Sequence, residues 1–414
     1  MGEIAAFGEI IFVGAGGMAL ALASVRLSER VAVPAPAVFL ILAALASDLF
    51  PRLGELSFQT VERMGVAALI PILFDGGLRI GWRRFRATAV PIGVLGIGGT
   101  FMVAAVVAAA AHFLVGFTWT TAAILAAALA PTDPAVMFSV LGRRAIAGPT
   151  RTILEGEAGI NDPVGIALTV GVLDYTVGGH GSFTRIGGEF VLSMVIGLAV
   201  GLAAALLFGR AKPRLSMPTE SLDVVAAVTF AALVYAAASV AHGSGFLAVF
   251  VAGLALGDGQ LTRRPALVYS VTSLAAISEI VVFVALGLTV HLGDFATATL
   301  WRDGFAVAVI LILARAVVVG VLLAHSTLAP AARAFVAWGG LKGAVPILLA
   351  TFAVLRAVEG ARHIYDIVFF VVMFSVLVQG TTIAAAAHRF GVPVREELSS
   401  DGRRSAPPEP ARAR

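Results

Sequence analysis

Ala130-Pro131-Thr132-Asp133-Pro134 stands in the middle of an apolar run that covers residues 118–141. Pro131 and Pro134 each lack an amide donor, and each disfavours helical geometry at the residue before it. A membrane-spanning helix is expected to break here. The break leaves free carbonyls and the positive end of a half-helix beside the Thr132 hydroxyl and the Asp133 carboxylate. Transporters build midplane ion sites from such parts. A plain structural kink is the simpler reading of the proline pair taken alone.

The rest of the chain places this motif in a bilayer. Of 414 residues, 59% are apolar and only 13% charged, about half the charged share of soluble domains. That balance argues against a soluble enzyme, a disordered chain or a nucleic-acid-binding module. The formal net charge of +4 fits basic cytoplasmic loops better than an acidic partner. With no cysteine, disulfides, thiol catalysis and cysteine metal sites are excluded.

A hydrocarbon core of about 30 Å needs about 20 mostly apolar residues per helix. On that measure thirteen runs span: 7–25, 34–50, 62–80, 88–115, 118–141, 151–175, 188–209, 222–241, 243–257, 268–290, 303–325, 331–356 and 363–388. The eighth and ninth nearly merge at Ala241–Gly243, so twelve spans is the alternative. Glu3 and Glu9, with no preceding basic residue, mark the first run as a retained helix rather than a signal peptide. Residues 1–392 thus form the membrane unit, and residues 393–414, rich in Pro, Ser, Arg and Glu, read as a disordered tail. Fifteen Lys or Arg fall in loops after odd-numbered spans and six in loops after even-numbered ones. This asymmetry puts the odd loops and the C-terminus in the cytoplasm and the N-terminus outside, in a plasma or inner membrane.

Few charges remain inside the spans. The bases are Arg315 and Lys342; the acids, some near span ends, are Asp75, Asp133, Glu155, Glu157, Asp162 and Glu279. Each costs at least about 2.5–3.5 kcal/mol at mid-bilayer, which makes each a functional candidate. The sixth span carries Glu155-Gly156-Glu157-Ala158-Gly159-Ile160-Asn161-Asp162-Pro163. Glu157 and Asn161 share a helix face, while Asp162 points about 100° away from Asn161. One face can hold a structural pair while the next meets a pore. The twelfth span carries Gly339-Gly340-Leu341-Lys342-Gly343-Ala344-Val345-Pro346 and is also expected to be interrupted. The two interrupted spans lie seven apart, an odd offset that gives them opposite orientation. Spans one to six and eight to thirteen then read as an inverted repeat, a sequence pointer to a transporter site.

In order along the chain, Phe74-Asp75-Gly76-Gly77-Leu78, Pro131-Thr132-Asp133-Pro134-Ala135, Glu155 to Pro163, and His242-Gly243-Ser244-Gly245-Phe246-Leu247-Ala248-Val249 are joined by Ala314-Arg315 and Gly340-Leu341-Lys342-Gly343-Ala344. Together these resemble NhaP-type sodium/proton exchangers of the monovalent cation:proton antiporter superfamily, with the Gly-Ser-Gly-Phe-Leu-Ala-Val stretch most like bacterial potassium/proton antiporters. The resemblance implies an all-α membrane protein of about thirteen helices with two crossed discontinuous helices. A core domain (about 88–175 and 303–388) would move against a dimerisation domain (about 7–80 and 222–290), with 188–209 as linker, in a homodimer. It implies that Asp162, next to Asn161, carries the cation or proton, that Thr132, Asp133 and Asp75 line the site, and that Glu157 and Arg315 form a structural ion pair. Two departures stand out. Ala158 occupies a position where sodium-coordinating relatives commonly place serine. Lys342 replaces the usual arginine, keeps the charge, and is a candidate modulating residue.

Exchange then follows from competition. Asp162 holds a proton or a desolvated Na+ or K+, with the Thr132 hydroxyl and carbonyls near Thr132 and Asp133 as further oxygen ligands. An elevator that moves only with Asp162 neutralised would couple the two fluxes one to one, because Asn161 carries no second proton. The implied role is pH homeostasis. Rival classes are a passive cation channel and a transporter of another small ion; no selectivity-filter repeat is visible. No intramembrane histidine pair or Gly-x-Ser-x-Gly stretch supports an enzyme, and no cofactor is implied.

Overall fold

Inside a bilayer each backbone N–H and C=O must be paired within its own segment, so apolar runs of this length fold as helices. The computed structural model describes residues 16, 19, 33–50, 56–133, 136–137, 141, 144–146, 148–178, 183–211, 220–258 and 265–396. The first predicted span lies outside these, apart from residues 16 and 19. Helix α1 is Ala35–Leu49, α2 Phe58–Ile80 and α3 Trp82–Ala87. Helix α4, Ala89–Val115, includes π-helical turns at Val94–Gly99 and Ala111–Val115. Helix α5 is Trp119–Leu129, β1 Arg144–Ile146, α6 Pro149–Gly178, α7 Phe183–Ala211 and α8 Glu220–Val240. Then follow α9 Gly245–Gly257, α10 Pro265–Gly287, α11 Ala298–Leu322, α12 Pro330–Trp338 and α13 Ala344–Leu355. The last helix, α14, is Ala361–Arg389, and β2 is Val394–Glu396.

Six of these helices are long and apolar enough to cross a membrane, among the described residues: Ala89–Val115, Thr184–Arg210, Leu222–Val240, Leu267–Gly287, Ala298–Leu322 and Ala361–Arg389. The protein is a multi-pass membrane protein. Two expected spans are interrupted. α5 ends before an extended stretch at Pro131–Asp133, and α12 and α13 are separated by residues 340–343. Pro134 lies outside the described residues. Runs eight and nine are separate helices: the chain turns at His242, whose φ is 59°, and the Ser244 hydroxyl caps α9 by accepting from Leu247 N at 3.3 Å.

Polar caps start several helices. Ser57 accepts from Thr60 N, and Thr118 accepts from Thr121 N, each at 3.2 Å. Each cap satisfies an amide that the helix start would otherwise leave unpaired. One expectation changes at the C-terminus. Val394–Glu396 were assigned to a disordered tail but pair antiparallel with β1, Ile146 opposite Val394 and Arg144 opposite Glu396. Ile146 of β1 and Val392, two residues before β2, are buried beside this pairing.

Small residues set the closest helix approaches, as expected where lipid provides no hydrophobic drive for association. A Cβ on Gly253 of α9 would lie 2.6 Å from Phe74 O of α2, and one on Gly197 of α7 would lie 2.6 Å from Ser244 O. α9 is thereby clamped between α2 and α7. Gly253→Val is expected to cost about 1–3 kcal/mol through overpacking, measured by thermal unfolding in detergent. Gly320→Ala, where nothing lies within 4 Å of an added Cβ, is expected to be neutral or to stabilise by up to about 1 kcal/mol.

Candidate functional site

The two interruptions meet. Asp133 N donates to Leu341 O at 2.8 Å, so the extended segment after α5 pairs with the one before α13. Each half-helix that ends at the crossing has unpaired carbonyls, and each set is met by a side-chain cation. Lys342 Nζ, fully buried, donates to Ala130 O at 3.0 Å and Pro131 O at 2.7 Å, at the end of α5. Arg315 Nε donates to Ala337 O and its Nη2 to Val336 O, both at 3.2 Å, at the end of α12. Cations at helix C-termini also oppose the negative end of the dipole.

The glycines of the twelfth span follow from this crowding. A Cβ on Gly340 would overlap the Arg315 guanidinium, and one on Gly343 would overlap the Asp133 carboxylate. Asp133 thus sits at the N-terminal end of α13, where a helix favours negative charge. Lys342 N donates to Ser375 Oγ at 3.0 Å, Ser375 Oγ donates to Gln379 Oε1 at 2.6 Å, and Gln379 Nε2 donates to Trp338 O at 3.3 Å. Sequence reasoning missed this buttress. Its only signal was a polar pair four residues apart within the otherwise apolar stretch 367–380.

On α6 the neighbouring side chains of Glu157, Asn161 and Asp162 have different surroundings. Arg315 Nη1 and Nη2 donate to Glu157 Oε1 and Oε2 at 2.7 and 3.1 Å, a bidentate buried pair. Asn161 Nδ2 donates to the Thr132 hydroxyl at 2.8 Å, and Thr132 N donates to Asn161 Oδ1 at 3.4 Å. Asn161 therefore stitches α6 to the broken helix. Asp162 is buried, and its Oδ1 has no hydrogen-bond partner. The charges of Asp133 and Lys342 act on it through space.

Not every candidate joins this group. The contacts of Asp75 are with Thr272 Oγ1, which donates to it at 2.7 Å, and with Arg79 at 2.6 Å. Glu155 pairs with Arg151 at 2.9 Å. Glu279 of α10, left unassigned from sequence, feels the charges of Asp133 and Arg79 through space. The carbonyls expected to serve as cation ligands also change: those of Ala130 and Pro131 are held by Lys342, because an ammonium on a flexible stem reaches them first. Removing one partner of a buried pair costs about 3–5 kcal/mol, so Glu157→Ala should lose that much stability in thermal unfolding. Arg315→Leu should lose at least as much, since it also frees the carbonyls of α12; a milder effect would refute the capping role.

Comparison with known proteins agrees with this geometry. The family model described as "Sodium/hydrogen exchanger, transmembrane" matches residues 17–389. The K(+)/H(+) antiporter NhaP of Alkalimonas amylolytica is 32% identical over 392 residues, covering 92% of this chain and 67% of its own. The K(+)/H(+) antiporter NhaP2 of Shewanella baltica is 31% identical over 367 residues, covering 87% and 63%. The chain thus spans about two thirds of the length of the curated relatives it matches. The solved sodium proton antiporter MjNhaP1 of Methanocaldococcus jannaschii has the same fold, with a TM-score of 0.74 at 21% identity, over 92% of this chain and all of that one. The interrupted helices, the buried acids of α6 and the match across the membrane region make this chain a member of the transmembrane sodium/hydrogen exchanger family.

Proposed function

We propose that the protein is a secondary-active antiporter that exchanges Na+ or K+ for H+, with Asp162 as the shared carboxylate. The observation that carries this reading is the state of Asp162 against that of its neighbours. Glu157, Asp75 and Glu155 are each tied to an arginine. Asp162 has no ion-pair partner among the described residues and an unpartnered, buried oxygen at the crossing. A buried carboxylate in that state gains by taking up either a proton or a cation. It does not hold both, so binding of one expels the other.

The Thr132 hydroxyl, oriented by Asn161, is the nearest candidate second ligand. Lys342 fixes the broken end of α5 and tunes the field at Asp162. Asp133 and Glu279 add negative charge that draws cations into the site. Asn161 keeps the exchange at one charge each way, which makes it electroneutral. Relatives named as K(+)/H(+) antiporters favour potassium, while MjNhaP1 is named for sodium.

Packing supports an elevator in which α4–α6 and α11–α14 move together against α1, α2 and α8–α10. Contacts are dense within each group, as between α11 and α14 or between α2 and α9. α7 packs on α9 and serves as the linker. We take the basic loops as cytoplasmic and the assembly as a homodimer in a plasma or inner membrane.

Proton flux in proteoliposomes with an entrapped pH dye tests the reading. An inside-acid gradient should be dissipated on adding NaCl or KCl, and collapsing the membrane potential should not change the rate. Asp162→Asn should abolish the response while the protein keeps its thermal unfolding profile. Exchange near the wild-type rate in that variant sinks the mechanism.

A further inference from the structure

Four polar side chains form one row along α6: Glu155, Asp162, Thr169 and Thr176, spaced by seven. Seven residues of α-helix turn through about 700° and rise about 10.5 Å, so successive members differ by only about 20° in direction. Two glycines lie about 60° to either side of Asp162 on the same helix. A Cβ on Gly159 would overlap the Phe250 ring of α9, and one on Gly165 would overlap Pro131. The row therefore looks into the seam between the broken helix and α9, where Asp162 stands.

Thr169 is the member that the fold leaves unexplained. It is 0% exposed, and its Oγ1 has no hydrogen-bond partner. A helical threonine ordinarily returns its hydroxyl to a carbonyl three or four residues back. Thr176 does so, donating to Leu173 O at 3.2 Å, and Thr351 does so, donating to Leu348 O at 2.6 Å. On α6 the two unpartnered buried oxygens are Asp162 Oδ1 and Thr169 Oγ1, both in this row. The proposed exchange uses the first and leaves the second idle.

We infer that Thr169 is a second ligand station for the transported cation, on the leg from Asp162 toward the Gly178 end of α6. The inference rests on the antiport reading above. Thr169 is fully buried, so a cation reaching it from Asp162 would have shed water, and on this face of α6 it is the next side-chain oxygen, one heptad onward. A hydroxyl suits that place: it offers a lone pair without a charge that would trap the ion. Glu155 stands at the equivalent distance on the other side of Asp162, toward the basic loops.

Thr169→Val removes the hydroxyl and keeps the shape, and Thr169→Ser keeps the hydroxyl. In the proteoliposome assay, the maximal exchange rate of Thr169→Val should fall about fivefold or more, the size of one lost polar contact. The half-saturating cation concentration should stay within about twofold, and Thr169→Ser should recover most of the rate. Thermal unfolding of the same samples separates this from misfolding, since valine relieves an unsatisfied buried group and should not destabilise. A Thr169→Val variant that exchanges within twofold of wild type, or a Thr169→Ser variant as slow as Thr169→Val, overturns the station. Wild type and Asp162→Asn run alongside test the antiport reading itself. A silent wild type overturns that reading, whereas a fast Thr169→Val beside an inactive Asp162→Asn overturns only the station.

Discussion

Breaking a helix inside a bilayer frees carbonyl groups that have no water to turn to, and in this chain two buried cations turn to them. Lys342 binds the end of α5, and Arg315 binds the end of α12. Most of the neighbouring architecture follows from those two contacts. Glu157 is needed to neutralise Arg315, glycines are needed at 340 and 343 to let guanidinium and carboxylate approach, and Ser375 and Gln379 hold the strand that carries Lys342. With both cations committed to backbone and to Glu157, Asp162 remains the carboxylate with an unsatisfied oxygen at the crossing.

Much of this was legible in the sequence because proline, glycine and charge act locally. Pro131 and Pro134, three residues apart, remove two amide donors from one turn, where the lone Pro71 and Pro163 are carried inside helices, and a carboxylate at the middle of an apolar run is anomalous on any fold. The pairing of Glu157 with Arg315 was reached only through family likeness, and the partners lie 158 residues apart. What stayed hidden was which oxygen each charge would find. Lys342 reaches carbonyls 211 and 212 residues away, and no pattern in the chain records that. Asp75 shows the reverse difficulty. The family resemblance put it at the ion site, and in the fold it contacts Arg79 one turn on and Thr272 across the packing. The short β-ribbon was invisible for a further reason: three-residue strands lie below any periodicity that can be read.

The comparisons and the geometry bear on different levels. Family membership accounts for the fold and the paired interruptions. It leaves open how one chain tunes the site, and here Lys342 and Ala158 matter, the two positions at which the resemblance implies arginine and serine instead. A lysine offers three donors from a single point, enough for two carbonyls with one direction left over, whereas a planar guanidinium would spread its donors across a wider fork. The broken end of α5 is therefore held at a point rather than along an edge.

The two-stranded ribbon couples distant parts of the polypeptide mechanically. β1 lies in the short stretch between Asp133 and the start of α6, and β2 follows directly on α14. A pull on β2 is delivered through backbone hydrogen bonds to the connector that joins both halves of the ion site. The last described strand is thus tied to that connector by main-chain hydrogen bonds, which side-chain substitution leaves in place.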